Sequence, residues 1–141
     1  MAKITRTSQQ WLSNHFKKLG VSAERPKVIV HSKLVAFGKI EGGINTFHSA
    51  LLKTLGSNAT IAVPTFTVSL TRDQPYNPKA TKPDSMGAYS NFILSRPDRT
   101  RSLCPIHNHA AIGKRAKLLE HFSDGSFSLG PGSDFEWFFN E

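Results

Sequence analysis

Val28-Ile29-Val30-His31-Ser32-Lys33-Leu34-Val35-Ala36-Phe37-Gly38-Lys39-Ile40-Glu41-Gly42-Gly43 is the stretch on which the fold turns. A short β-branched run ends in a small hydroxyl residue. A bend with three glycines follows, and an apolar-periodic segment begins at Ile44. That is the order of a strand, a glycine-rich turn and the start of a helix. Such a junction aims backbone N–H groups and the positive end of a helix at one point, which suits a phosphate or pyrophosphate. Glycine-rich turns after strands also serve packing alone, and the spacing here is neither G-x-G-x-x-G nor G-x-x-x-x-G-K-[ST].

Upstream of this stretch, Ser8 caps a helix through about Leu19, with Trp11, Phe16 and Leu19 on one face and Gly20 as its stop. Pro26 imposes an extended approach, so Lys27 to Ser32 reads as a strand. Downstream, Ile44, Phe47, Leu51 and Leu55 form the core stripe of a second helix that Gly56 ends. Thr60 to Val63 reads as a buried strand stopped at Pro64. Two helices alternating with two apolar strands predict an α/β, layered domain with some parallel pairing. Thr65 to Ser85 is a long polar loop containing Pro75, Pro78 and Pro83, a type of segment that often carries function. Met86 to Leu94 has helical character, and His107 to Ile112 reads as a short strand broken by Gly113. Lys114 to Phe122 is expected to be a helix through Ala116, Leu119 and Phe122. Ser126 to Gly132 is a glycine–serine turn, and Asp134 opens a short helix over Glu136 to Phe139.

The chain of 141 residues is long enough for one domain with its own core. No apolar run is long enough to span a bilayer. Met1-Ala2-Lys3-Ile4-Thr5-Arg6 is followed by no apolar segment of the secretory kind. Asn58-Ala59-Thr60 is therefore read as a chance glycosylation sequon. A single cysteine, Cys104, excludes an internal disulfide framework and fits a reducing compartment, so a cytoplasmic protein is expected. The net charge is +8, but the cations are scattered: Lys17-Lys18, Lys79, Lys82, Arg96, Arg99, Arg101 and Lys114-Arg115. With no dense basic tract and no nucleic-acid-binding motif, neither nucleic acid nor membrane is an expected partner. A solvated basic surface and a phosphate-rich cofactor are the readings that remain.

Further blocks follow the turn: Ala50-Leu51, Leu55-Gly56, Val63-Pro64-Thr65-Phe66-Thr67 and Tyr76-Asn77-Pro78. Then come Met86-Gly87-Ala88, Arg96-Pro97, Arg101-Ser102-x-x-Pro105-x-His107 and Ala110-Ala111-Ile112-Gly113. In this order and spacing the chain, from about Leu19 to Phe135, resembles the N-terminal half of the aminoglycoside 3-N-acetyltransferase family. The resemblance implies that family's own layered α/β fold, here incomplete, with residues 1–141 forming the cofactor-binding portion of a single acetyltransferase domain. It implies acetyl-CoA as acyl donor, no metal, and a small-molecule amine, an aminoglycoside or other amino sugar, as acceptor.

The resemblance places His31, Ser32, Leu34 and Gly38 in the CoA-binding segment, with Glu41-Gly42-Gly43 shaping the turn into the helix. It places Thr65 and Phe66 near the pantetheine arm. By residue chemistry, the Ser32 hydroxyl, the Lys33 ammonium and nearby N–H groups can hold a pyrophosphate. The family pattern has a second serine at position 33. Lysine can serve there as a point charge, and a Lys33 pointing to solvent is the competing reading. His107, after Arg101-Ser102, can act as a base or hydrogen-bond acceptor near neutral pH. His107 and His109 would share one strand face, but no third metal ligand is evident. The family pattern has an apolar residue at position 109 and histidine at position 104. Cys104 is read as inert packing.

The family's acid/base pair, His-x-x-Glu, belongs to its C-terminal half, and no such pair stands at that place in this chain. His107 is thus the candidate base within the chain, and little acetylation is expected from the 141 residues alone. The run Phe135-Glu136-Trp137-Phe138-Phe139 has four aromatics in five residues and is expected to need a cover. The contrasting reading is a truncated, catalytically inactive CoA- or nucleotide-binding fragment. In the long loop only Asp73 and Asp84 are available to attract a polycationic acceptor.

Overall fold

The structure, a computed structural model, describes residues 6–122 and 125–140. Met1–Thr5, the side chain of Phe122 and Glu141, to which sequence readings were attached, lie outside this description. In chain order the strands are β1 (Arg6–Thr7), β2 (Lys27–Ile29), β3 (Lys39–Ile40), β4 (Thr60–Pro64), β5 (Thr100–Arg101) and β6 (His109–Gly113). The α-helices are α1 (Gln9–Lys18), α2 (Gly43–Leu55), α3 (Ala88–Leu94), α4 (Leu119–Phe122) and α5 (Asp134–Asn140).

A four-stranded sheet in the order β2-β4-β6-β5 forms the central layer. β2 and β4 are parallel, with Lys27, Val28 and Ile29 opposite Thr60, Ile61 and Ala62. The link between them contains α2, the crossover that parallel strands require. β6 runs antiparallel to β4, pairing Thr60 with Gly113 and Pro64 with His109. The carboxyl ends of β2 and β4 and the amino end of β6 therefore meet at one edge of the sheet. A small parallel pair, β1 with β3, ties the N-terminal segment to the glycine-rich turn.

Alternation along the strands makes two cores. Ile61, Val63, Ala110 and Ile112 pack against Leu12 and Phe16 of α1, Phe47, Leu51 and Leu55 of α2, and Tyr89 and Ile93 of α3. On the opposite face Ala62 and Ala111 meet Ala116, Leu119 and Trp137. Alanines at the sheet positions let α5 and its indole come close. Lys27 fastens this layer to β2: its ammonium donates to the Trp137 carbonyl at 2.9 Å and lies 5.0 Å from the centre of the Trp137 ring.

Several expectations change here. Trp11 and Leu19 do not join the α1 core face; they are 49% and 71% exposed, and Leu12 takes the buried place with Phe16. Trp11 stacks on His15 instead, at 4.7 Å. The expected strand ends at Ile29 rather than Ser32, because the chain leaves the sheet to form the turn. Residues 114–122 are not one helix: a 3-10 turn, Ala116–Leu118, precedes α4. The aromatic run is partly covered from within the chain, since Trp137 is 1% exposed while Phe139 remains at 79%.

Candidate functional site

After β2 the chain passes His31, Ser32 and Lys33, makes a 3-10 turn over Leu34–Phe37, and reaches α2 through Gly38 and Gly42. Gly42 precedes the helix with φ +73, and a Cβ there would lie 2.5 Å from the Thr46 hydroxyl oxygen. The positive φ favours glycine at this position, and the helix start carries no side-chain cap hydrogen bond from it. Gly43 and Gly38 have open space where a side chain would stand. Gly87, just before α3, brings the far end of the long loop back to this turn; a Cβ on it would be 3.4 Å from the Ser32 carbonyl oxygen. A cavity of about 380 Å³ opens beside the turn, lined by His31, Ser32, Lys33, Ala36 and Phe37 with apolar residues of α1 and β2 behind them.

His31 also faces the sheet edge, its ring 6.4 Å from Phe66. Beyond Pro64 the antiparallel pairing continues, with Thr65 N–H donating to the Asn108 carbonyl and Thr67 N–H to the Ile106 carbonyl, each at 2.9 Å. Period-2 alternation then sorts the side chains. Phe66 meets the edges of His107 and His109 at 5.2 and 5.3 Å between ring centres. The regular strand starts at His109, so His107 precedes it rather than opening it, yet both imidazoles reach Phe66 as the expected shared face requires. His31 is held below the ordinary imidazole pKa, first by burial and then by the neighbouring His109.

Thr65 and Thr67 point the other way into a buried polar network. The Thr65 hydroxyl donates to Asn108 Oδ1 at 2.7 Å, and Asn108 Nδ2 donates to the Thr67 hydroxyl at 2.9 Å. Arg101 locks this network: Nε donates to Asn108 Oδ1 and Nη2 to the Thr65 carbonyl, both at 2.9 Å. Nη1 reaches the Thr81 carbonyl, so the guanidinium staples the long loop to the sheet. Burial lowers the pKa of Arg101 and raises that of Tyr76, which lies beneath its guanidinium. Asp84 accepts from the Ser69 hydroxyl and N–H, and those bonds hold its carboxyl below the usual range.

Of the expected cofactor residues, His31, Ser32, Lys33, Leu34, Gly38, Gly42 and Gly43 form one continuous turn, and Phe66 and His107 stand at the adjoining sheet edge. Thr65 and Ser102 are both wholly buried. Thr65 orders the strand end, and Ser102 donates to Asp134 Oδ2 at 2.6 Å. Sequence reasoning passed over the Asp134 carboxylate, which also accepts from the His109 backbone N–H and lies against His109 Nδ1, each at 2.9 Å. The Ser133-x-x-Glu136 capping signal before the aromatic run was the available clue to Asp134's placement. Among the described residues, no group of three or more His, Cys, Asp or Glu side chains is placed to hold a metal. Nor is any described helix long and apolar enough to cross a membrane.

A glycine-rich helix start, a slot beside the preceding turn and an imidazole-lined edge thus lie together at the carboxyl ends of parallel strands, the place where α/β folds hold ligands. Residues 29–141 match the family model described as aminoglycoside 3-N-acetyltransferase, and the chain belongs to that family. The solved YokD protein from Bacillus subtilis superposes with TM-score 0.77 at 24% identity, over 96% of this chain and 61% of that one. AAC-VIa bound to sisomicin gives TM-score 0.76 at 25% identity, over 96% of this chain and 57% of that one. AAC-IIIb, solved as a binary complex with CoASH, gives 0.77 at 20% identity, over 92% and 55%. This chain thus spans between half and two thirds of the length of these structures. A comparison with curated protein sequences gives no match.

Proposed function

We propose that this chain binds acetyl-CoA and serves the transfer of its acetyl group to an amine of an aminoglycoside or other amino sugar. The phosphate end of the cofactor lies on the Ser32–Gly43 turn, held by the α2 N–H groups, the Ser32 hydroxyl and the Lys33 ammonium. The pantetheine arm runs past His31 towards Phe66 and His107. The amine nitrogen attacks the thioester carbonyl, the C–S bond breaks and CoA leaves as its thiol. Holding the two substrates in line supplies much of the rate. The observation that carries this reading is the start of α2 at a left-handed glycine without a side-chain cap, in a chain whose family model covers residues 29–141. A CoASH complex and a sisomicin complex among similar structures support the donor and the kind of acceptor.

Calorimetric titration with CoA tests the site. The native chain binds, and Gly42→Val, folded by circular dichroism, loses at least about tenfold in affinity, equivalent to roughly 1.4 kcal/mol. Undiminished binding by the folded variant removes the turn from the site. CoA binding with no acetyl transfer to any amine favours the inactive, cofactor-binding fragment instead.

A further inference from the structure

The side of the sheet away from β2 carries a charge that the fold does not neutralise. β5 is the strand at that edge, and its Arg101 is 6% exposed. The Arg101 donors meet neutral acceptors: Nε gives to Asn108 Oδ1, Nη2 to the Thr65 carbonyl and Nη1 to the Thr81 carbonyl. Arg99, two positions earlier, is half-buried and gives Nη1 to the Arg96 carbonyl at 3.0 Å. Among the described residues, neither guanidinium forms an ion pair with a carboxylate, and nor does the Lys79 ammonium. Burial lowers the pKa of Arg101, Tyr76 opposes the shift, and the charge of Arg99 adds to it. A buried cation without a counter-charge is costly, and a like charge beside it raises the cost. A bound anion offsets both.

The three cations surround one opening. Lys79 from the long loop, Arg99 and Arg101 line a cavity of about 520 Å³, a size within the range of about 300–1,000 Å³ usual for small-molecule sites. Pro97 and Leu103 give it apolar wall, and Glu120, exposed on α4, is the one acid among the described residues that line it. No residue of the Ser32–Gly43 turn borders it. We propose that this cavity is a second anion site, separate from the turn, which takes the phosphate or diphosphate group of a small molecule. Three cations against one carboxylate leave the cavity positive. Arg101, its donors engaged by the chain, contributes charge from the floor. Arg99 and Lys79 supply the donors, a planar fork and a mobile point charge that both suit phosphate oxygens. The anion would bridge Lys79 of the long loop to Arg99 and Arg101 at β5, adding to the staple that Arg101 already makes. The inference does not depend on the acetyl-CoA reading above.

The test is calorimetric titration of the full chain with inorganic pyrophosphate, with and without CoA present, at fixed ionic strength so that screening of surface charge is constant. The variants are Arg99→Ala, Lys79→Ala, Glu120→Gln and, as a control away from the cavity, Lys18→Ala, each checked for folding by circular dichroism. The native chain binds pyrophosphate whether or not CoA is present, and the ligand raises its melting temperature. Arg99→Ala and Lys79→Ala each weaken pyrophosphate binding by about tenfold or more, the loss of a charge-assisted contact. Both keep their affinity for CoA. Glu120→Gln tightens pyrophosphate binding, because the opposing carboxylate is gone, and Lys18→Ala leaves it unchanged. No binding by the native chain, or binding unaltered in a folded Arg99→Ala, overturns the inference. An equal loss in Lys18→Ala also overturns it, since the anion then reads a diffuse basic surface. Displacement of pyrophosphate by CoA, or loss of CoA affinity in Arg99→Ala, overturns the separate site by merging it with that of the cofactor. Pyrophosphate binding without any CoA binding supports this inference and removes the acetyl-CoA reading.

Discussion

His48, on the buried side of α2, shows what a single side chain does to the pH response of this fold. Its Nδ1 lies 2.9 Å from the Tyr89 hydroxyl, and its ring packs 5.1 Å from Phe92. Burial lowers its pKa from the ordinary 6.5, Arg96 adds to the shift, and Asp98 opposes it. The folded chain therefore resists a proton that the unfolded chain accepts. Between the depressed folded value and 6.5 the unfolded state binds more protons, so stability falls as pH drops through that window and levels off below it. The opposing charge of Asp98 and solvent screening limit the effect to less than about 1 kcal/mol. Chemical denaturation at about pH 7.5 and about pH 5 should show this loss in the native chain and a smaller one in His48→Gln. An equal loss in the variant would place the pH response elsewhere. The same scale explains a missed feature. His109 and Asp134 lie 25 positions apart, and no local spacing signals that pairing.

At the scale of elements, α5 illustrates how a short helix is held. Ser133 caps it, its hydroxyl accepting from the Glu136 N–H at 3.3 Å, while the Glu136 carboxylate reaches back to the Gly132 N–H at 2.6 Å. A helix of seven residues has little stability of its own, so the cap and the packing of Trp137 decide whether it forms. Ser133→Ala should cost about 1 kcal/mol in denaturant unfolding. A neutral result would show that packing alone sustains α5. The turn at β2 is a contrasting element. Its glycines, its hydroxyl and the following apolar stripe are all local signals, so strand, turn and helix were legible with boundaries displaced by a few residues. The break between Ala116–Leu118 and α4 was not legible, because an apolar periodicity of three to four residues fits both a 3-10 turn and an α-helix.

Across the whole molecule, two cores share one sheet, and the smaller depends on a residue from the other end of the chain. Trp137 fills it, and Lys27 from β2 covers the indole and binds its carbonyl. Trp137→Ala should therefore destabilise the chain by about 3–5 kcal/mol, several times the effect of the Ser133 cap. Denaturant midpoints would register the difference directly. A loss near that of Ser133→Ala would mean that the second core adds little to the fold.

Taken alone, the sequence determined the layered α/β class with some parallel pairing, the glycine-rich start of α2 and the family. Each of these rests on short-range regularities: β-branched runs, helical periodicity, glycine at a left-handed position, and motif blocks in fixed order. Tertiary structure alone decided that Leu12 rather than Trp11 is buried, that Thr65 and Ser102 are consumed by internal hydrogen bonds, and that Arg101 staples the long loop. It also decided that Asp134 meets His109. These outcomes depend on which side chains a returning segment brings together, and burial makes each unsatisfied donor or acceptor costly enough to select one arrangement.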